Sequence, residues 1–360
     1  MTWRSLSTIV LLSAARPSAA SDGPFDYQVL KVADDTYAFV EKRLNPVVSS
    51  NIVAVIGREG VLVFDAGHHP SISRAIIEDL KRITPKPVKY LVVSHWHDDH
   101  WAGAAEFSEA WPGVQVMAHP FTARLMEERR EKFRGDSCKS DLAGDSKQLR
   151  DQVTSGKRPD GTPLTSQVKE RLDHFLEAVE GQVAECDGMR YRGVDVQIDS
   201  TLDVDLGGRI VSLRFLGRGN TAGDLVAWIP DTRTLLTGDL LVHPWPFATQ
   251  SYISEWAKVL RRLDALDAAT IVPGHGAPMH DTAYLGLVTE VLESIERQAR
   301  AAWHTGMTAD ELRAKIDLSG FDEKFSHGDA FYKANFEYMM GQSAVNRMWQ
   351  ELAGKWEPEG

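Results

Sequence analysis

The first part of the chain alternates short apolar runs with polar or glycine-rich turns. Residues 27–32 and 36–40 flank a polar turn, and residues 51–56 and 61–64 flank a turn that begins and ends with glycine. Runs of β-branched residues on either side of such turns are typical of β-hairpins. We therefore expect two hairpins between residues 27 and 65.

The period of the apolar positions changes after residue 70. Residues 71–83 carry apolar side chains on one helical stripe, which predicts an amphipathic helix. A second helix is expected at 254–266. An apolar run predicts a buried strand at 88–94. Further strands are expected at 114–118, 201–206, 209–216, 225–229, 234–237 and 270–272.

Two regions differ from this pattern. Residues 121–190 suggest a helical insertion, in which residues 135–163 are rich in Gly, Ser, Asp and Lys and indicate an irregular segment. After residue 281 the chain reads as helical, with Thr308 and Glu311 forming a capping box. The order of hairpins, helix–strand units and further hairpins predicts an α/β (α+β) fold, with two mixed sheets between helices.

Composition narrows the functional classes. The chain has 360 residues, of which 43% are apolar, and this proportion is typical of a globular protein. Its net charge of −11 argues against a nucleic-acid partner, because such binding relies on a basic surface. No apolar run approaches the ~20 residues that span a bilayer, so we expect no membrane span. We expect a small-molecule substrate, and the sequence leaves the oligomeric state open.

The N-terminus has the pattern of a secretory signal. Arg4 precedes an apolar stretch at 6–15, and small residues stand at 18–20. A helix is the alternative, but Pro17 stands where that helix would continue. We predict a signal peptide over 1–20 and an exported protein, periplasmic or extracellular. In such a compartment Cys138 and Cys186 could form a disulfide, and the sequence leaves their redox state open.

The residues that point to chemistry follow the predicted strand at 88–94. His95, His97, Asp99 and His100 stand within six residues. In an extended backbone the spacing of His95 and His97 puts both imidazoles on the same side. Imidazole and carboxylate ligands together suit zinc, with manganese or iron as alternatives. The cluster therefore predicts a metal site.

Two later segments have the form needed to complete this site. Asp239 follows a glycine at the end of one apolar strand, and His275 stands between two glycines at the end of another. Each places a candidate ligand at the carboxyl end of a strand. Either segment alone is also typical of an ordinary loop, but their order after the histidine cluster favours a shared metal centre.

In this order, these motifs resemble the metallo-β-lactamase superfamily. The resemblance covers roughly residues 27–280, and it includes Asp65 in an early motif and the segment 219–224. It implies an αββα sandwich with a two-metal site at one edge of the sheets. It also implies a structural role behind the metals for Asp65. The ligands implied are His95 and His97 for the first metal, Asp99, His100 and His275 for the second, and Asp239 as the bridge between them.

One position departs from the family pattern. The third motif of the family usually supplies a histidine to the first metal, and Asn220 stands there in this chain. The flanking Gly219, Thr221 and Gly223 fit the motif, so the register is clear. An amide oxygen is a weaker metal donor than imidazole. We therefore expect Asn220 to be a weak ligand and the first site to have lower occupancy.

The resemblance implies a metal-dependent hydrolase, and the signal pattern of residues 1–20 predicts that it is exported. A bridging acid such as Asp239 is typical of glyoxalase II-like thioesterases, lactonases and esterase-like members. Metal-activated hydroxide would attack the carbonyl of an ester, thioester, lactone or β-lactam, with Asp99 as the catalytic residue that holds the water and carries a proton. The segment 219–224 and the export signal also look similar to periplasmic zinc hydrolases of quinoprotein relay systems. The alternatives are a metal-binding protein with weak or no hydrolysis, and an iron-dependent oxidoreductase.

These interpretations divide the chain into three parts. Residues 1–20 form the signal peptide, residues 21–280 the metallo-β-lactamase-like domain with its insertion at 121–190, and residues 281–360 a helical C-terminal extension. Several aromatic and histidine side chains near the metal motifs are candidates for lining a pocket, although a packed loop explains them equally well. They are Trp101, His243, Trp245 and Phe247.

Overall fold

The structure is a computed structural model that describes residues 27–42, 49–131, 135–157, 161 and 163–356. The predicted signal peptide at 1–20 lies outside these residues. Across the helices that the structure describes, none combines the length and the apolar character that a membrane crossing requires.

Two β-sheets lie at the centre of the molecule. Within the described residues the strands are β1 Tyr27–Ala33, β2 Thr36–Glu41, β3 Ile52–Ile56, β4 Val61–Phe64, β5 Val88–Val92, β6 Gln115–Ala118, β7 Val196–Gln197, β8 Thr201–Asp205, β9 Ile210–Phe215, β10 Leu225–Ile229, β11 Thr234–Leu236 and β12 Thr270–Val272. The first sheet has the order β1 to β7 and the second the order β12-β11-β10-β9-β8. Strands β4 to β7 are parallel to one another, as are β11 and β12, and the other pairs are antiparallel.

Helices cover the outer faces of both sheets. They are α1 Pro70–Ile83, α2 Asp98–Trp101, α3 Ala104–Ala110, α4 Pro120–Arg129, α5 Gly135–Ser155, α6 Ser166–Glu185, α7 Ile253–Asp264, α8 Ala283–Ala302, α9 Ala309–Arg313, α10 Ser319–Ser326, α11 Ala330–Phe336 and α12 Val345–Ala353, with a π-helical stretch at Glu337–Ala344 before α12. The hairpins, the helix after residue 70 and the capping box of Thr308 and Glu311 are as the sequence predicts.

Side-chain alternation along the strands divides the core into layers. In β3, Val53 and Val55 point into a layer between the two sheets, whereas Ile52 and Ala54 point toward α1 and its neighbours. The inter-sheet layer draws on both sheets, including Leu213 of β9. A third cluster packs the outer face of the second sheet against α7, α8 and the C-terminal helices. These layers form the expected αββα sandwich.

The insertion contains one helix that the composition does not predict. Helix α5 covers most of the segment that is rich in Gly, Ser, Asp and Lys. Leu149 is buried, and Arg150 pairs with Glu180 of α6. A disulfide joins Cys138 of α5 to Cys186 just after α6, with the two Cα atoms 5.7 Å apart. Packing and the cross-link thus support a helix that local propensity disfavours.

The C-terminal helices pack on the second sheet. Leu285 and Leu292 of α8 and Met348 of α12 are buried in the same cluster as Leu235 of β11. The division into a metallo-β-lactamase-like domain at 21–280 and a helical extension at 281–360 stays a prediction.

Candidate metal centre

The candidate ligands lie where strands of both sheets end. His95 follows the end of β5, and Asp239 and His275 follow the ends of β11 and β12. Leu236 and Val272 are paired in the parallel register of β11 and β12, so the loops beyond them start side by side. The backbone of Gly274 donates to Gly238 O at 2.9 Å and joins the two loops. The carboxyl ends of these strands therefore converge on one point.

The first group consists of His95, His97 and Asp239. Their donor atoms lie close enough together to hold one metal ion. His95 Nε2 lies 2.8 Å from His97 Nδ1 and 3.7 Å from Asp239 Oδ2. His95 and Asp239 are buried, and His97 is partly exposed where it lines the cavity described below.

The second group consists of Asp99, His100 and His275. Asp99 Oδ2 lies 2.9 Å from His275 Nε2 and 3.4 Å from His100 Nε2. The other oxygen of Asp239, Oδ1, lies 3.3 Å from His100 Nε2 and 3.5 Å from His275 Nε2. Asp239 therefore presents one oxygen to each group, which is the arrangement expected of a bridging ligand.

Asp65 contacts His100 through Nδ1, the ring nitrogen that does not belong to the second group. Its carboxylate accepts from Ser94 N at 2.7 Å and from His100 Nδ1 at 2.8 Å. A proton held on Nδ1 in this way leaves the lone pair of His100 Nε2 directed at the second group. Asp65 has a positive φ of 62°, so its backbone adopts a conformation that few non-glycine residues occupy.

The donor set fits a metal ion. Among the described residues, His100 Nε2 and Asp239 Oδ1 are buried atoms with no hydrogen-bond partner. Buried polar atoms normally have a hydrogen-bond partner. Two neighbouring atoms that carry lone pairs and lack such a partner are what a cation site requires. Histidine and carboxylate ligands in this number suit zinc as well as manganese or iron.

The electrostatics of the two groups differ. Burial lowers the pKa of His95 and of His97, which favours the neutral, metal-binding form of both rings. Burial alone would lower the pKa of His100, but the carboxylates around it raise that pKa well above its usual range. Burial would also raise the pKa of Asp99, but the neighbouring His100 and His275 hold it well below the usual range. The second group is thus the more negatively charged environment.

Asn220 is buried, with 1% of its surface exposed. Its Nδ2 donates to the carbonyl of Phe247, while Oδ1 has no hydrogen-bond partner among the described residues. The amide oxygen is therefore available as a donor. Its role as a weak ligand of the first metal stays a prediction.

Asn51 connects the first sheet to the loop that carries His275. Its backbone N–H donates to Gly274 O at 2.7 Å, and its Nδ2 donates to Pro273 O and Gly276 O at 2.9 and 2.8 Å. Asn51 lies at the start of β3, far from the metal motifs in sequence. The sequence carries no pattern that could have identified this contact.

A cavity of about 320 Å³ opens onto both groups. Besides His97, Asp99, Asp239 and His275, its lining includes His68, Trp96, Asp98, Arg129, Leu142, Gln182, Val242, Phe247, Thr249 and Gln250. Of the predicted pocket residues, Phe247 belongs to this lining. Trp96 and Asp98 lie within the histidine cluster itself. The other lining residues that sequence reasoning missed are single side chains from α4, α5, α6 and loops, which share no local motif.

Three predicted pocket residues need correction, because their side chains pack elsewhere. Trp101 is buried and donates from Nε1 to Trp96 O at 2.8 Å. Trp245 is buried against Phe331 and Tyr332 of α11. His243 packs its ring against Tyr284 of α8. Trp101 and Trp245 belong to core layers, His243 is partly exposed beside α8, and none of the three is among the described residues that line the cavity.

Comparison with known proteins agrees with this geometry. The sequence profile of the Metallo-beta-lactamase superfamily matches residues 45–275, more than half of the chain. The chain belongs to the metallo-β-lactamase superfamily. This confirms the family inferred from the motifs and the αββα fold that it implies.

Individual proteins that resemble this chain, in sequence or in fold, include two alkylsulfatases and a metallo-beta-lactamase. The chain is 24% identical over 272 residues to a linear primary-alkylsulfatase from Pseudomonas sp., covering 72% of this chain and 48% of that protein. A metallo-beta-lactamase from Pontibacter korlensis has a TM-score of 0.51 at 21% identity, covering 74% of this chain and 99% of that one. The structure of a stereoselective inverting sec-alkylsulfatase from Pseudomonas sp. has a TM-score of 0.62 at 16% identity, covering 93% of this chain and 52% of that one. The chain spans about half the length of both alkylsulfatases.

Proposed function

We propose that this protein is an exported zinc-dependent hydrolase that attacks the carbonyl carbon of an ester, thioester, lactone or β-lactam and cleaves the bond from that carbon to the leaving oxygen, sulfur or nitrogen. One observation carries the proposal: two ligand groups share Asp239 at the wall of a cavity large enough for a small molecule. When bound, zinc would activate a water molecule and polarise the bond to be cleaved.

The residues of the chain divide the remaining work. His95, His97, Asp99, His100 and His275 hold their donor atoms toward the two positions, with Asp239 between them. Asp99 also lines the cavity, so its carboxylate can orient a water and accept its proton. Asp65 keeps His100 in the orientation that binding requires.

The lining suggests a substrate with both apolar and anionic parts. Trp96, Leu142 and Phe247 provide apolar walls. Arg129 is the permanent cation among the described lining residues. Its Nη1 lies 3.8 Å from Asp98 Oδ2 and its guanidinium 4.4 Å from the ring centroid of Trp96, while its Nε has no hydrogen-bond partner among these residues. An anionic group of the substrate would find a partner in this guanidinium.

A second candidate function is hydrolysis of an alkyl sulfate ester. The likeness to a linear primary-alkylsulfatase over 72% of the chain favours it, and so does the position of Arg129 in the cavity. The reaction would use the same ligand groups.

Export is part of the proposal. The charged, apolar and small-residue order of residues 1–20 supports it, as does the disulfide between Cys138 and Cys186, because disulfides persist in oxidising compartments. N-terminal sequencing of the protein from its native host should give Ser21 as the first residue. Soluble cytoplasmic protein that retains Met1 would contradict this.

The catalytic proposal is tested by metal analysis and a substrate panel. We expect zinc in the purified protein and turnover of at least one class among carboxylic esters, thioesters, lactones, β-lactams and alkyl sulfates. His97→Ala and His275→Ala should each lose metal and activity while keeping the circular dichroism spectrum of the wild type. Arg129→Gln should raise KM for anionic substrates and leave neutral ones unaffected.

The outcomes separate the alternatives. Turnover of alkyl sulfates alone would replace the carbonyl proposal by the second candidate. Metal without any turnover would indicate a metal-binding protein, and iron with redox activity an oxidoreductase. A variant of His97 or His275 that keeps its full metal content would contradict the ligand assignment.

A further inference from the structure

His97 makes a contact on the side of its ring that faces away from the first group. Its Nδ1 lies 2.8 Å from His95 Nε2, so this nitrogen belongs to the first group. Its Nε2 lies 3.2 Å from Gln250 Oε1. An amide oxygen can only accept a hydrogen bond, so the contact requires the ring proton on Nε2. That tautomer leaves the lone pair on Nδ1, the atom that faces the first group.

Gln250 is itself held in place from two sides. Thr249 donates from its hydroxyl to the same Oε1 atom. The main-chain carbonyl of Gln250 accepts from Arg347 Nη2 at 3.0 Å, and the carbonyl of Ser251 accepts from Arg347 Nε, also at 3.0 Å. Arg347 belongs to α12, so this helix is hydrogen-bonded to the backbone of the loop that lines the cavity.

The side chain of Arg347 is buried and has contacts on several sides. Arg347 is 3% exposed, and its Nη1 donates to Gln350 Oε1 at 2.8 Å. Its guanidinium also lies against two aromatic rings, 5.7 Å from the centroid of Tyr252 and 5.0 Å from that of Trp356. Three hydrogen bonds and two ring contacts therefore fix the guanidinium, since each of its nitrogens has a partner.

A second contact fixes the far end of the same loop. Glu351, one helical turn after Arg347, accepts from the backbone and hydroxyl of Ser254 at the start of α7. Helix α12 thus holds the segment 250–254 at both ends. The segment has little freedom to move away from His97.

Building on the metal centre proposed above, we propose that Gln250 is a positioning residue for His97 and that Arg347 of α12 holds Gln250 in place. The helical C-terminal region then belongs functionally to the metal centre. Its contribution is the orientation and tautomer of one ligand.

The first test measures metal affinity in Gln250 variants. Zinc and cobalt affinities would be determined by competition with a chelator, together with the visible spectrum of the cobalt form. Gln250→Leu removes the acceptor and should weaken binding at the first site about 10- to 100-fold, the range for lost outer-sphere partners. Gln250→Glu keeps an acceptor and should restore the affinity.

Gln182→Leu is the matched control. Gln182 also lines the cavity, but its amide contacts His68, which is outside both ligand groups. Gln182→Leu should bind zinc and cobalt with the affinities of the wild type. Melting temperatures of the metal-free proteins should agree within a few degrees, so that a change in affinity reflects the site. An affinity loss equal in Gln182→Leu and Gln250→Leu would overturn the proposal.

The second test asks whether Arg347 acts through Gln250. Arg347→Lys keeps the charge but loses the forked pair of contacts, and it should weaken binding at the first site by a smaller factor. In the double variant Arg347→Lys/Gln250→Leu, the loss of metal affinity at the first site should be no larger than in Gln250→Leu alone, because Arg347 acts on His97 through Gln250. Additive effects would overturn the role of Arg347. If Arg347→Lys does not fold, the Gln250 variants still decide the main claim.

Failure of this proposal is distinct from failure of the metal centre. A wild type that binds no metal would refute the centre. A wild type that binds two ions, with unchanged affinities and cobalt spectrum in Gln250→Leu, would refute only the positioning role.

Discussion

Asp239 can face both groups of ligands only because the backbone opposite it carries no side chain. Gly274 lies against Asp239, and a Cβ on Gly274 would overlap Asp239 Oδ1 and crowd the backbone of Gly238. Gly274 also donates from its N–H to Gly238 O. The glycine before His275 is thus needed for the position of a different ligand.

Gly274→Ala should therefore displace Asp239 and weaken metal binding at both sites, by about tenfold or more. Gly286→Ala is the control, because Gly286 lies in α8 with open space around it and alanine there should be neutral or stabilising. Both variants would be compared by zinc content under limiting free zinc. Full zinc occupancy in Gly274→Ala would show that the loop has room the structure does not indicate.

Asn220 supports a second prediction at this scale. Asn220→His should supply an imidazole in place of an amide oxygen that has no hydrogen-bond partner in the described part of the chain, and should raise zinc binding toward two ions per chain when free zinc is limiting. The histidine ring is longer than the amide, so the loop must adjust. Two ions in both proteins would mean that the first site is already complete. A rise in zinc without a gain in turnover would indicate that one metal is enough.

Some residues of the candidate site can be identified from the sequence, and others cannot. His95 to His100 form a contiguous cluster whose spacing indicates chemistry, and the structure brings all six predicted ligands together. Asn51 and Gln250 could not be found this way, since each is a single polar residue whose partner lies more than 100 positions away. Trp101 and Trp245 were misplaced because an aromatic residue near a motif looks the same whether it lines a cavity or fills the core.

At the scale of elements, the helical insertion forms part of the cavity wall. Leu142 of α5 and Gln182 of α6 both belong to its lining. The disulfide ties α5 to the turn after α6 across 48 residues. The position of this wall therefore depends on a cross-link that closes a long loop.

The double variant Cys138→Ser/Cys186→Ser should lose up to about 4 kcal/mol of unfolding free energy, the scale expected for a loop of this length. Its zinc content should not change, because the ligands follow strands of the two sheets. Urea denaturation and metal analysis, with the reduced wild type as a second reference, would measure both. Loss of zinc along with stability would show that the insertion also supports the ligands.

The elements also show where sequence prediction ends. Strands such as β3 and β4 are predictable because their apolar runs are long and their turns are marked by glycine. Helix α5 is not, because its Gly and Ser residues favour a loop, and only contacts with α6 supply the stabilisation. The π-helical stretch at Glu337–Ala344 has no signature in the sequence that distinguishes it from an ordinary helix.

At the scale of the whole molecule, the candidate ligands are divided between the two sheets. His95, His97, Asp99 and His100 follow β5 of the first sheet, and Asp239 and His275 follow strands of the second. An ion bound to both sets joins the halves of the sandwich. Since it binds the folded chain and not the unfolded one, it also stabilises the fold.

Removal of metal should therefore lower the melting temperature, and the shift should depend on the concentration of free zinc. Calorimetry after dialysis against a chelator, then with graded zinc, would measure this. A melting temperature that does not respond to zinc, in protein shown to bind it, would mean that the two sheets hold together equally well without the ion.

The separation of the ligands along the chain also bears on which metal the protein acquires. Residues 95 and 275 come together only when both sheets have formed, so the unfolded chain offers no assembled site. If the chain folds after export, it would bind its first metal ion in the periplasm or outside the cell. Affinity alone would favour copper over zinc and zinc over manganese. The ion it carries would instead reflect which metals are abundant at the place and moment of folding.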